Sequence, residues 1–244
     1  MRLGPHLHRI GNDVVAAYLV ETDDGVTVID AGLPGHWRDL LAELAAMGRA
    51  VEDVRGVVLT HGDSDHIGFA ERLRRDHGVP VFVHADDAER ARSGDKPKAP
   101  TGPMRLGPAG GFLSYALRKQ GWRTRYLSKV VEVADGDVLA LPGSPRVIAM
   151  PGHSPGSIAV HVPVADAVFV GDALTTRHVL TGRPGLQPAP FTDDPARALE
   201  SLARLAGLDA AWVLPGHGTP WRGDLGTVEE RVRRAADGAR GPRS

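Results

Sequence analysis

The stretch Arg55–Phe69, "RGVVLTHGDSDHIGF", ends an apolar run and then crowds four ligating side chains into six positions: His61, Asp63, Asp65 and His66. Val57, Val58 and Leu59 read as a buried strand, and a glycine-bearing turn follows. A rigid strand end holds polar groups in place better than a free loop does. The same design recurs downstream. "VIAM" runs into "PGHS" at His153, "VFV" into "GDAL" at Asp172, and "WVLP" into "GHG" at His217. A single histidine in a glycine turn is ordinarily a surface residue. Recurrence at four strand ends in one chain points instead to a shared site, because strand ends on one sheet edge converge. Imidazole and carboxylate groups in this number suit divalent metal ions with positions left open for water.

Composition narrows the chemistry further. The chain has 244 residues and no cysteine, which removes thiolate ligands, cysteine nucleophiles and disulfides. Its 29 basic and 30 acidic residues leave a formal charge of −1, so no electrostatic footprint for nucleic acid or an anionic membrane is present. The first residues, "MRLGPHLHRIGNDVV", lack the apolar centre of a signal peptide, and no apolar run approaches the roughly 20 residues of a membrane helix. The expectation is a cytoplasmic protein acting on a small molecule, without nucleic-acid or membrane partners.

The chain alternates strands and helices. Residues 14–21 and 26–30 read as strands joined by "TDDG". Trp37, Leu40, Leu41, Leu44 and Met47 are spaced for a helix that Gly48 stops. A strand at 55–60 precedes a helical "FAERLRRDHG", and "VPVFVHADDAERAR" reads as strand into helix. Further strands are expected at 130–141, 145–150, 157–163 and 167–171, then a helix capped by Asp194 with Pro195 at its first position. A last strand, "AWVLP", precedes His217, and the tail is charged. The segment 93–129 differs: a Pro/Gly/Lys-rich part leads into a basic, aromatic one carrying Phe112, Tyr115, Trp122, Arg118, Lys119, Arg123 and Arg125. It reads as an insertion or lid over one site within a single domain spanning 1–244, and the pattern predicts an α/β protein with layered sheets.

At this point the motifs resemble the metallo-β-lactamase superfamily, whose signature is His-x-His-x-Asp-His, then a distant His, a bridging Asp and a final His. "HGDSDH", "GHSPGS", "GDAL" and "PGHG" stand in that order, and "VIDAG" at 28–32 is similar to the family's early strand ending in an aspartate. The resemblance covers about residues 13–221 and implies a four-layer αβ/βα sandwich. It implies two divalent ions, zinc being the first expectation. His61, Asp63 and His153 would hold one; Asp65, His66 and His217 the other; Asp172 would bridge, and Asp30 would orient ligands. Asp65 would also hold the attacking water and its proton.

Asp63 stands where that signature has a histidine. A carboxylate there shifts preference toward harder ions such as iron or manganese, and its shorter reach would weaken the first position. The implied reaction is hydrolysis of an ester, thioester or lactone. Arg177 and His178, in the loop after Asp172, are candidate substrate contacts. An iron-dependent redox enzyme and a non-catalytic metal-binding protein remain open alternatives, whereas a nuclease fits the balanced charge poorly. His6, His8, His36, His77, His84 and His161 are expected outside the site.

Overall fold

The computed structural model describes residues 1–97 and 102–240. Its first sheet has seven strands in sequence order: β1 (Arg2–Gly4), β2 (Leu7–Gly11), β3 (Ala16–Thr22), β4 (Gly25–Ile29), β5 (Val54–Val58), β6 (Val81–His84) and β7 (Val131–Val133). β1 to β4 pair antiparallel, and β4 to β7 pair parallel. The second sheet contains β8 (Arg146–Ala149), β9 (Ile158–Val162) and β10 (Ala167–Gly171), and a short hairpin of β11 (Thr175–Arg177) and β12 (Pro184–Gln187) leaves it. β13 (Trp212–Pro215) and β14 (Trp221–Arg222) complete that sheet in the order β14-β13-β10-β9-β8.

Strand alternation builds the layers. Along β3, Ala16, Tyr18 and Val20 face the space between the sheets, while Ala17 and Leu19 face outward. Along β10, Ala167 and Phe169 face inward, and Val168 and Val170 outward. Tyr18 and Phe169 meet across the middle with ring centroids 5.4 Å apart. The helices α1 (Trp37–Ala46), α2 (Ala70–His77) and α3 (Ala88–Ser93) cover the first sheet's outer face through Trp37, Leu40, Leu44, Leu73 and Ala91. After α4 (Leu106–Arg118), the helices α5 (Pro195–Ser201) and α6 (Val228–Arg240) lie on the second sheet's outer face, where Val228 and Val232 join its core. The result is the expected αβ/βα sandwich.

Several sequence expectations shift. Only 131–133 of the stretch 130–141 is a ladder strand, because Ala134 turns on the Asp137 carboxylate and Gly136 adopts φ 88°. The β1–β2 hairpin has no clean alternation: His8 and Arg9 are buried in it, held by Glu43 at 2.8 Å and Asp13 at 3.0 Å. The charged tail is the amphipathic helix α6. Asp194 caps α5 as expected, accepting from the N–H groups of Ala196 and Arg197.

Within 93–129, of which 98–101 lie outside the described residues, α4 packs back on the first half of the chain. Tyr115 is buried with Val15 and Leu33, and Trp122 is exposed.

Candidate metal centre

The ends of β4, β5, β8, β10 and β13 lie together, and the two sheets are stitched at that rim. The N–H of Ile158 donates to the Thr60 carbonyl at 2.8 Å, and the Tyr18 hydroxyl to the Pro215 carbonyl at 2.8 Å. The loops leaving these strands carry Asp30, His61, Asp63, Asp65, His66, His153, Asp172 and His217 into one cluster. All but half-buried Asp65 are buried.

Three sets of side chains approach closely enough to share an ion: His61 with Asp63 and His153, Asp65 with His66 and His217, and His61 with His66 and Asp172. Asp172 stands between the first two sets. One of its oxygens lies 3.6 Å from His66 Nε2; the other lies 3.2 Å from His217 Nε2 and 3.8 Å from His153 Nε2. Asp63 Oδ2 is 3.6 Å from His153 Nε2, and Asp65 Oδ2 is 3.5 Å from His217 Nε2.

The tautomers are set from behind. His66 Nδ1 donates to Asp30 at 2.9 Å, and His217 Nδ1 to the Val14 carbonyl. Thr60 gives its own hydroxyl proton to Asp30, so its oxygen accepts from His61 Nδ1 at 3.1 Å. Thr192 likewise donates to the Ala189 carbonyl and accepts from His153 Nδ1 at 3.2 Å. Every Nδ1 is thereby engaged outward, and every Nε2 faces the centre. The Nε2 atoms of His61, His66 and His153 and one Asp172 oxygen are buried without a partner. Buried polar atoms are normally satisfied, so this convergent deficit is what a divalent cation would fill. The residues fit a metal.

Electrostatics agree. Burial disfavours a proton on His66, yet Asp30, Asp172 and Asp65 outweigh it and raise its pKa to about 10. His217 is raised to about 9 in the same way, with Asp172 and Asp65 overcoming burial. Burial and the charges of His66 and His153 push His61 well down. Burial raises the Asp172 carboxyl, but His217, His66 and His153 hold it below the ordinary carboxylate range. The pocket favours positive charge, whether a proton or an ion carries it.

Two backbone positions make the cluster possible. Asp30 adopts φ 58°, a left-handed conformation that Asp tolerates better than most residues, and so turns its carboxylate back toward Thr60 and His66. A Cβ on Gly216 would sit 2.3 Å from His66 Cε1 and 2.7 Å from an Asp172 oxygen, so that position must lack a side chain.

Several partners were not legible in the sequence. Asp87, fully buried, accepts from the N–H of Gly62 at 2.8 Å, the Ser154 hydroxyl at 2.7 Å and the N–H of Gly156 at 2.8 Å, tying the His61 loop to the His153 loop. Arg90, also buried, donates to Asp63 Oδ1 at 2.5 Å and to Asp193 at 2.6 Å, and Lys96 donates to Asp63 Oδ2 at 2.8 Å. The sequence reads there only as strand into helix, "VPVFVHADDAERAR", followed by the irregular segment that holds Lys96.

Beside the cluster lies a cavity of about 870 Å³, lined by Ala173, which follows Asp172, by Thr192, which bonds His153, and by Met104, Pro188, Phe191 and Leu199. Arg105, Arg183 and His178 are its charged or titratable lining residues. Burial, with the charges of His217 and Arg183, lowers the pKa of His178, so that ring is neutral near pH 7. Arg177 is exposed on β11 and is not part of this lining. The Phe112 ring stands 6.4 Å from that of His217.

The comparisons with known proteins agree with this geometry. Residues 10–217 match the model of the metallo-beta-lactamase superfamily, and the chain belongs to that family. The probable metallo-hydrolase YflN of Bacillus subtilis is 29% identical over 226 residues, covering 84% of this chain and 81% of YflN. The metallo-beta-lactamase family protein TTHA1429 from Thermus thermophilus superposes with a TM-score of 0.71 at 24% identity, over 97% of this chain and 81% of that one. TTHA1623, solved in a di-iron-bound form, is 27% identical with a TM-score of 0.59, over 95% and 97% of the two chains. Family and ligand cluster together support a metal-dependent hydrolase. Among the described residues, no helix is long and apolar enough to cross a membrane.

Proposed function

We propose that the chain is a two-ion metallohydrolase of a small-molecule ester, thioester or lactone. In this reading His61, Asp63 and His153 hold one ion, Asp65, His66 and His217 the other, and Asp172 serves both. The observation that carries it is the three Nε2 atoms of His61, His66 and His153, buried and unpartnered around Asp172 while their Nδ1 atoms are engaged outward. Divalent ions in such a donor set acidify a coordinated water and polarise a carbonyl.

The chain's own residues supply the rest. Asp65 is the least buried of the clustered carboxylates, and in this reading it holds the attacking water and accepts its proton. The neighbouring cavity takes the apolar part of the substrate against Phe191 and Leu199, and Arg105 and Arg183 favour an anionic group on it. The described part of segment 93–129 serves as a lid in this reading: Met104 lines the cavity, and the Arg105 N–H bonds the Leu180 carbonyl at 2.9 Å. The whole chain works as one domain in this scheme.

Zinc is the first expectation for both ions. The carboxylates Asp63, Asp65 and Asp172 also suit iron or manganese, and the di-iron form of TTHA1623 keeps a redox reading in view. Metal analysis of protein purified without chelators, paired with ester, thioester and lactone panels, tests the proposal. About two ions per chain, with hydrolysis lost to chelation and regained on adding metal, is the expected result. Substrate-dependent oxygen uptake without hydrolysis would transfer the case to redox chemistry, and no retained ion would end both.

A further inference from the structure

Asp63 is not a free carboxylate. Arg90 Nε occupies Oδ1 at 2.5 Å, and Lys96 Nζ occupies Oδ2 at 2.8 Å. Oδ2 is the oxygen that faces the centre, 3.6 Å from His153 Nε2 and 4.0 Å from His61 Nε2. An ion entering between those imidazoles would share it with an ammonium and approach a buried guanidinium that cannot give up its charge. The other group differs. Among the described residues no lysine or arginine bonds Asp65 or Asp172, and Asp30 adds a further carboxylate behind His66.

The clamp is built rather than incidental. Arg90 is 5% exposed, and its second anchor, Asp193, is held by a backbone bond from its N–H to the carbonyl of His153 at 3.1 Å. α3, the His153 loop and the HGDSDH turn are thus joined through one guanidinium. Lys96 is the changeable member: its side chain is 40% exposed and lies past the end of α3.

We propose that Arg90 and Lys96 are positioning residues that make the two ion positions unequal, so that the Asp65/His66/His217 position fills first and the His61/Asp63/His153 position fills only as Lys96 lets go of Asp63. Arg90 fixes which oxygen of Asp63 points inward; Lys96 competes with the ion for that oxygen. The inference rests on the two-ion reading above but makes a separate demand on it, namely an order of loading. It also gives the aspartate at 63 a role: a histidine there would offer the cations no counter-charge.

The test is a titration of metal-free full-length chain with Zn(II) against a chromogenic chelator, repeated with Co(II) to follow its visible absorption. Wild type should bind two ions with affinities at least about 10-fold apart, within the 10–100-fold range that groups behind metal ligands command. The weaker step should vanish in His153→Gln and the tighter one remain. Lys96→Met, at an exposed position, should tighten the weaker step by about 10-fold and leave the tighter one within about twofold. Arg90→Gln should change the weaker Co(II) spectrum as well as its affinity, because Asp63 is then free to rotate. Two ions of equal affinity in wild type, or a weaker step unmoved or weakened by Lys96→Met, would overturn the inference and leave the two-ion reading intact. Failure to bind any ion would overturn both.

Discussion

The two halves of the cluster share Asp172 and use the same kinds of ligand, yet they are supported in opposite ways. Behind His66 and His217 stand a carboxylate and a backbone carbonyl; behind His61 and His153 stand two threonine hydroxyls. Among the described residues Asp65 meets histidines and no lysine or arginine, whereas Asp63 carries two cations. Ligand type therefore does not define a metal position: the charges one layer further out decide how much positive charge each half still lacks. The half with Asp65 is under-neutralised, and the half with Asp63 is close to satisfied before any ion arrives.

The comparison is broken most directly by removing a ligand from the under-neutralised half. His66→Ala should lower kcat/KM by more than about 100-fold and remove the tighter ion from the metal count, since losing a ligand outright exceeds the loss of a group behind one. An equal loss of both ions would mean that the halves are not separable.

Acid should strain the same half from below. His36 is fully buried: its Nδ1 accepts from the Leu33 N–H at 3.0 Å and its Nε2 donates to the Tyr115 hydroxyl at 2.7 Å, so the neutral ring fills both roles. It props the turn Ala31–Leu33, which follows Asp30 and receives the N–H of Gly68. Burial and the charge of Lys119, only partly offset by Asp39, lower its pKa from 6.5 to about 4. A depressed folded value means that the stabilisation is complete above about pH 6.5, declines below it, and is gone once pH passes 4. The difference amounts to about 3 kcal/mol. Urea unfolding from pH 7 to 4 should show this fall, and His36→Gln should flatten it.

Asp30→Asn sharpens the contrast. It should weaken the tighter ion by about 10–100-fold in a chelator competition and the weaker one by much less, since Asp30 bonds His66 directly but reaches His61 only through Thr60. The smallest effect belongs to Leu199 in the cavity wall, which bonds no ligand of either half. Leu199→Ala should raise KM for the best substrate of the panel by about 10-fold with metal content unaltered; a changed metal count would place the cavity wall within the cluster's support.

The strand ends are readable because each couples an apolar run to a glycine turn, two local signals that need no knowledge of the fold. The layers follow from alternation, as in β3. What stays hidden depends on distance along the chain. Arg90 meets Asp63 across 27 positions and Asp193 across 103, and nothing in "ERAR" announces either partner. Asp87 looks like one acid among several. The β1–β2 hairpin is obscured because its buried His8 and Arg9 are paired rather than apolar. Residues 134–141 read as strand from their apolar content, although the turn on the Asp137 carboxylate breaks the ladder there.

One more consequence lies in the seam between the two ends of the sandwich. Residues 13–18 hold the loop at 215–218 through the Asp13, Val14 and Gly216 carbonyls and the Tyr18 hydroxyl, so His217 is aimed by backbone laid down some 200 positions earlier. On the ribosome, a nascent chain displays its HGDSDH turn long before this seam can close. In the proposed two-ion reading, tight capture of an ion would then await the arrival of His217, and a loaded cluster would report that nearly the whole sandwich has been assembled in register.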